Sequence, residues 1–351
     1  MNKAIICEFN PFHAGHAHLI KSVKNEGDRI ICVMSGNFVQ RGEFAVFDKF
    51  SRTKTALENG ADLVIELPPE QALLSAEGFA KSAVKLIENL GVADEIVFGA
   101  ENADTTELRK IAELLKSSEI QTKIVNEMKS GISYPAARNR IIKSPLLEKP
   151  NNILAIEYIK AASIPCTAVT RIGKGHDTDD EKYSASAIRK TLSPSETSTM
   201  QNCEKAILFK LRSMSKEDFA RIADVGEGLE NRIYDAARHS QNLDELYEMI
   251  KSKRYTLSRI KRIVLRAFLD IYGSSTDVPA VRILGFNQSG RLLLSEIKAN
   301  CPKPIISRLA DCDGELKNYY LRQCAFTDIH SLGYKKTLPC GAEQRSKIVV
   351  I

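Results

Sequence analysis

Three of the six histidines fall inside one hexapeptide. His13, His16 and His18 belong to the run Ile6-Cys7-Glu8-Phe9-Asn10-Pro11-Phe12-His13-Ala14-Gly15-His16-Ala17-His18-Leu19. An apolar, strand-like stretch, Ala4–Phe9, precedes the histidines, and a helical pattern (Leu19, Ile20, Val23) follows them. An H-x-G-H at a strand-to-helix turn suits phosphate chemistry. Gly15 leaves room for a phosphate to approach the backbone. The helix start offers N–H groups and the positive end of the helix dipole. His13 and His16 can donate to phosphate oxygens as charge develops in an in-line displacement at an α-phosphorus. A second segment, Tyr183-Ser184-Ala185-Ser186-Ala187-Ile188-Arg189, reads S-x-S-x-x-R at the opening of another helix. Hydroxyls of Ser184 and Ser186 suit an anion there, and Arg189 can neutralise a departing pyrophosphate. The expected catalytic set is therefore His13, His16, Ser184, Ser186 and Arg189. Ordinary helix caps with solvated charges are the alternative reading of each segment taken alone.

The elements that must position these groups alternate in the first half of the chain. Short β-branched or apolar runs at Ala4–Phe9, Arg29–Met34, Asp62–Leu67, Glu95–Gly99 and Cys166–Ile172 predict buried strands. Helical patterns lie between them at His16–Asn25, Asp48–Asn59, Gln71–Leu90 and Thr105–Lys116. Such alternation predicts a parallel sheet covered on both faces. Gly60 and Gly91 each follow a helical pattern, as C-terminal caps do. Residues 118–162 read as helical, broken at Pro135, Pro145 and Pro150. The polar block Ser35–Glu43 follows the second strand, at the sheet edge where ligands bind in open parallel sheets, and Asn37, Gln40 and Arg41 could reach one.

The Ser, Thr and Pro-rich stretch Thr191–Asn202 marks the expected domain boundary. An α/β domain would span 1–195, and a mainly helical domain 196–351, with a small strand–helix–strand element at Val281–Phe286, Arg291–Ala299 and Pro304–Ile306. Within the second part, residues 251–266 hold seven Lys or Arg and no acid. Leu257, Ile260, Ile263, Val264 and Phe268 recur at helical spacing and would face a core. Lys253, Arg254, Arg259, Arg262 and Arg266 would form a stripe for a phosphate backbone, with Tyr255 beside it for stacking. A merely solvated basic face is the alternative.

Composition narrows the class. Of 351 residues, 43% are hydrophobic and 27% charged, which excludes a disordered or collagen-like chain. The net charge of +6 permits an anionic partner without demanding one. No apolar run approaches the ~18 residues of a membrane span, and the start lacks a secretory signal, so the chain reads as cytoplasmic with no membrane partner. Eight cysteines include no C-x-x-C pair. Cys301, Cys312, Cys324 and Cys340 with His330 do not match structural zinc spacings, so no metal ligands are expected from the protein.

The motifs also carry a resemblance. His13-Ala14-Gly15-His16 with Ser184–Arg189 resembles the nucleotidyltransferase superfamily that includes class I synthetases and pantetheine-phosphate adenylyltransferase. Ser213-Met214-Ser215-Lys216 is similar to the synthetase phosphate loop, but it lies past the boundary in a polar helical stretch and reads as a cap. Longer blocks, Glu8–His16, Met34–Glu43, Gly60–Pro68, Phe98–Glu101, Pro150–Leu154, Lys253–Thr256 and Arg282–Phe286, resemble the bacterial tRNA(Met) cytidine acetate ligase family. The resemblance implies a Rossmann-like (HUP-type) catalytic domain. It also implies activation of acetate with ATP and acetylation of the wobble cytidine's exocyclic amine in elongator tRNA(Met); magnesium on the phosphates is expected from general phosphoryl chemistry. By motif, Ile6 to Leu19, Gly99, Asn152 and Arg171 would hold ATP. Bland readings of the last three are a turn glycine, a helix cap and a solvated strand end. A small-molecule adenylyltransferase and a non-catalytic RNA-binding module remain the alternatives, and nothing in the sequence sets the oligomeric state.

Overall fold

The computed structural model describes residues 1–171 and 185–351. Five apolar runs form the parallel strands β1 (Asn2–Cys7), β2 (Arg29–Ser35), β5 (Leu63–Leu67), β6 (Glu95–Ala100) and β7 (Cys166–Thr170). A small hairpin, β3 (Phe38–Val39) with β4 (Glu43–Phe44), rises from the end of β2. Three strands from the far end of the chain, β8 (Val281–Phe286), β9 (Ile305–Ile306) and β10 (Val349–Val350), complete an eight-stranded sheet of order β10-β8-β5-β2-β1-β6-β7, with β9 also on β8. Within this sheet all pairings are parallel except β5 with β8. The parallel sheet expected from the alternating pattern is thus present. The expected strand–helix–strand element also forms, but it extends this sheet instead of standing apart.

Every residue of β1 and β5 is buried, which is why those strands read as continuous apolar runs rather than alternating ones. One face packs helix α1 (Ala14–Val23) and helix α2 (Lys49–Glu58) around Ile5, Cys32, Val64 and Leu284. The other packs the helices Ala76–Asn89, Thr105–Lys116 and Pro150–Ala161 around Ile31, Ile65 and Phe98. The three prolines of the 118–162 stretch start helices: Pro135 and Pro150 lie in the first turns of Tyr134–Ile142 and Pro150–Ala161, and Pro145 opens a 3-10 turn. A separate helical core, with Leu211, Phe219, Ile233, Leu246 and Ile263 at its centre, lies beyond residue 200 and takes in Phe38 and Phe44 of the hairpin. Ser215 caps the helix Lys216–Ala220 reciprocally with Asp218, so that serine has a structural role. Among the described residues no helix is long and apolar enough to cross a membrane.

A buried charge network ties the two ends of the chain. Glu66 of β5 lies opposite Arg282 of β8 in the antiparallel register. Lys49 pairs with Glu66 and with Glu343, each at 2.7 Å, and Arg282 lies 3.5 Å from Glu343. Thr327 donates to Glu343, and Asn37 donates to Thr327 at 3.0 Å. Asn37 therefore faces this core network and not a ligand, a correction to its expected role.

His330 is a second tie. It is buried between Phe44 and Tyr334, against the edge of Phe38, and its Nε2 lies 2.7 Å from the Ala45 carbonyl. Burial pushes its pKa down to about 4, the Ala45 bond opposing this in part. The folded protein binds this proton less readily than the unfolded chain, so stability rises with pH between about 4 and 6.5. Lowering the pH from 7 to 5 is expected to cost on the order of 2 kcal/mol through this one group. Thermal melts across that range should show the slope, and His330→Gln should flatten it; an equal slope in the variant would rule His330 out as the source.

Candidate functional site

The strand-to-helix turn closes on itself through its histidines. His13 is the N-cap of α1, and its Nδ1 accepts from the Gly15 amide at 3.1 Å. The His16 Nδ1 accepts in return from the His13 amide at 3.3 Å. Serine or threonine with glutamate usually makes this reciprocal box; here two imidazoles do. The rings stack with centroids 3.7 Å apart, and Phe9 and Phe12 hold His16 from the sides at 4.9 and 5.5 Å. Both Nδ1 atoms accept, so in the neutral rings the proton sits on Nε2. Burial, followed by the charges of His13 and Arg171, holds His16 well below its ordinary pKa. It is thus a neutral N–H donor, the form that can bond a phosphate oxygen without carrying a full charge of its own.

The second expected segment arrives at the same turn. Arg189, in the helix Ala185–Thr191, donates from Nη1 to the Asn10 carbonyl at 2.7 Å and from Nη2 to the Ser186 hydroxyl at 3.1 Å. Ser184 lies outside the described residues. Arg171 follows β7 and is close enough to His16 to influence its titration. Gly99 faces it: a Cβ there would lie 3.3 Å from the Arg171 side chain.

These groups open into one cavity of about 970 Å³, at the upper end of small-molecule pockets. From the first run, Ile6, Cys7, Glu8, Phe9, Asn10, His13, Gly15, His16, His18 and Leu19 line it, as do Gly99, Arg171 and Arg189. Pro11, Phe12, Ala14 and Ala17 do not: Pro11 is buried, and Ala14 is exposed to solvent. Asn152 is a correction as well. It is 1% exposed and its Oδ1 accepts from the Asn102 amide, so it fastens the loop after β6, while its neighbour Asn151 reaches the cavity. Ser186 likewise contacts the space only through Arg189.

The basic segment forms the opposite wall. Arg254, Arg259, Lys261 and Arg262 line the same cavity, while Lys253 is exposed outside it. Gly42 explains the closeness. Its φ is +76°, and a Cβ there would collide with the backbone of Lys261 and Arg262, so the hairpin presses directly on the helix Leu257–Phe268. Lys261 seals the joint on Glu43 at 2.7 Å. Two of the expected surface groups are corrected. Tyr255 is buried, with its hydroxyl on the Glu227 carbonyl at 3.0 Å. Arg266 is 2% exposed, and its guanidinium donates to the carbonyls of Glu70 and Gly273. One turn earlier, Arg262 is mostly buried beside Asp224 at 3.6 Å. The stripe is therefore split: Tyr255 and Arg266 serve the core, Arg254, Arg259 and Lys261 serve the cavity, and the mostly buried Arg262 borders both. Counting described residues, eight Lys or Arg line the cavity against five Asp or Glu, an excess that suits a polyanion. Sequence reasoning passed over Arg138 and Tyr158, which also line it. Arg138 sits among helix-breaking prolines, and Tyr158 in an apolar helix pattern, so neither carries a local signal.

The model of the HIGH Nucleotidyl Transferase family matches residues 1–204 and 193–345. The chain belongs to the tRNA(Met) cytidine acetate ligase family of these proteins. It is 36% identical to the tRNA(Met) cytidine acetate ligase of Acetivibrio thermocellus, over 99% of each chain. With the enzyme of the same name from Thermoanaerobacter sp. strain X514 it shares 38% identity over 97% of each. The crystal structure of Thermotoga maritima TmcAL bound with alpha-thio ATP superposes with a TM-score of 0.87 at 28% identity, covering 100% of this chain and 99% of that one. The family is one of ligases.

Replacing Arg266 with Met removes two buried bonds to backbone carbonyls, and the expected cost is about 2–4 kcal/mol. Denaturant titration of Arg266→Met checks this; an unchanged midpoint would return Arg266 to the ligand-facing group.

Proposed function

We propose that the chain binds ATP in this cavity, activates acetate as acetyl-adenylate, and transfers the acetyl group to the exocyclic amine of the wobble cytidine of elongator tRNA(Met). The observation that carries the reading is the bond from Arg189 to the Asn10 carbonyl, which brings the two phosphate-binding segments to one turn. His13 and His16 donate from Nε2 to the α-phosphate, where charge accumulates as the acetate oxygen attacks. Arg189, steadied by the Ser186 hydroxyl, holds the β- and γ-phosphates as pyrophosphate departs, with Ser184 joining it by motif. Gly99 and Arg171 border the nucleoside. In the second step the cytidine amine attacks the acetyl carbonyl and AMP leaves, so no side chain has to act as nucleophile.

Magnesium enters with the nucleotide in this reading. Among the described residues no three His, Cys, Asp or Glu side chains are grouped to hold a metal, and one Glu8 oxygen is already taken by the Gln40 amide at 2.6 Å. The ion would be bound chiefly by phosphate oxygens, whose charge it partly neutralises. The tRNA would lie across Lys253, Arg254 and Arg259 with its anticodon at the cavity mouth, and such a substrate places the reaction in the cytoplasm.

His16→Ala is expected to lower acetate-dependent ATP–pyrophosphate exchange more than tenfold with the fold intact by circular dichroism; full exchange would refute the role of the turn. Arg259→Glu is expected to spare exchange and weaken only transfer to tRNA, with a shallower salt dependence. Incubating the protein with ATP, labelled acetate and total tRNA, then digesting the RNA, should yield a labelled acetylated cytidine. Labelled adenylate without a labelled nucleoside would instead favour a small-molecule adenylyltransferase.

A further inference from the structure

Tyr158 has an unusual position for its chemistry. It lies in the helix Pro150–Ala161, is 5% exposed, and lines the cavity beneath the histidine turn. Its ring packs against Phe98 with centroids 5.5 Å apart. Among the described residues its hydroxyl has no hydrogen-bond partner, whereas buried hydroxyls are almost always bonded. The hydroxyl is not sealed in by apolar atoms either, because it opens on the cavity. Glu8 and Cys7, where β1 ends just before the turn that holds His13 and His16, are close enough to influence its titration. Burial, reinforced by Glu8, holds the phenol well above its ordinary pKa, so it stays a donor.

Beside that donor the cavity has an apolar wall. Ile6, Phe79, Phe98 and Leu154 line the same part of the cavity wall, and Phe79 and Phe98 are 1% and 2% exposed and therefore held by the core. A lone donor set in an apolar wall beside a phosphate-binding turn fits a short carboxylate with an alkyl tail. One carboxylate oxygen accepts from the phenol, the tail lies against the rings, and the other oxygen is left to attack.

We infer that Tyr158 is the residue that binds and selects the carboxylic acid, with Phe79 and Phe98 limiting the length of its tail. The inference rests on the acid-activating function proposed above. In the step it serves, a bond forms between the free carboxylate oxygen and the α-phosphorus. The bond to pyrophosphate breaks and its electron pair leaves with pyrophosphate, while Tyr158 keeps its proton throughout. Loss of a hydrogen bond to a charged group weakens binding about tenfold or more.

The test is ATP–pyrophosphate exchange driven by acetate, propionate or butyrate, in the wild-type protein and in Tyr158→Phe. The substitution keeps the ring and removes only an oxygen that no described residue bonds, so the melting temperature is expected to hold. KM for acetate should rise about tenfold or more, KM for ATP should stay within twofold, and wild-type exchange should fall steeply from acetate to butyrate. An unchanged KM for acetate in an active variant would overturn this inference alone, as would equal rises in both KM values, which mark a structural role. Absence of acid-dependent exchange in the wild-type protein would overturn the function proposed above, and this inference with it.

Discussion

The site depends on how the first turn meets its own hydrogen-bond needs. A helix start leaves backbone N–H groups without partners. In this chain two imidazole Nδ1 atoms satisfy them, His13 for the Gly15 amide and His16 for the His13 amide. That local need fixes ring orientation, and ring orientation fixes the tautomer, which puts the proton of each neutral ring on Nε2. A histidine in a flexible loop would have to be ordered when a ligand arrives. Here the ordering is built into α1, and the rings of Phe9 and Phe12 complete it from the side. A preorganised donor costs no reorganisation when charge develops, which is where such groups gain most of their effect.

A preorganised turn still needs an opposite wall, and the buried charges secure it. Lys49, Glu66, Arg282 and Glu343 come from α2, β5, β8 and the last forty residues' short helix Ala342–Arg345. Buried ion pairs stabilise little in net terms, because desolvation offsets most of the attraction. What they penalise is a mismatch. Separating any member leaves a charge without a partner in a water-free interior, at about 3–5 kcal/mol. The network therefore fixes one arrangement of the far end of the chain on the sheet. Together with His330 on Ala45 and Lys261 on Glu43, it sets the distance between the histidine turn and the basic segment.

Much of this was legible in the residues, and the remainder failed for identifiable reasons. The parallel strands announce themselves because burial on both faces demands continuous apolar runs, and Thr105–Lys116 was read to its observed bounds. The joining of β8 to β5 was not legible: the pairing links Glu66 to Arg282 across more than two hundred residues, and local periodicity has no knowledge of partners. The H-x-G-H turn could be read because strand, turn and helix are contiguous. The basic stripe could be read only in part. Hydropathy puts arginine outside by default, yet a guanidinium has five N–H groups and can satisfy buried carbonyls, as Arg266 does for Glu70 and Gly273. Asn152 shows the same ambiguity, since a helix-start asparagine serves a neighbouring loop as readily as a ligand.

One cavity bordered by both parts of the molecule has a chemical consequence. An acyl-adenylate hydrolyses if water reaches it, so activation and transfer are best done in one enclosed space. The apolar wall of Phe79, Phe98 and Leu154 lies on the sheet side, and the cationic wall of Arg254, Arg259 and Lys261 on the helical side. A mixed anhydride formed between them would have its acyl end against the apolar wall and its leaving phosphate against the histidine turn. An incoming nucleotide base could then enter only along the basic wall. The same groups that draw in a polyanion would thereby close the space over the reactive bond, so the order of the two steps is written into which wall each reactant can reach.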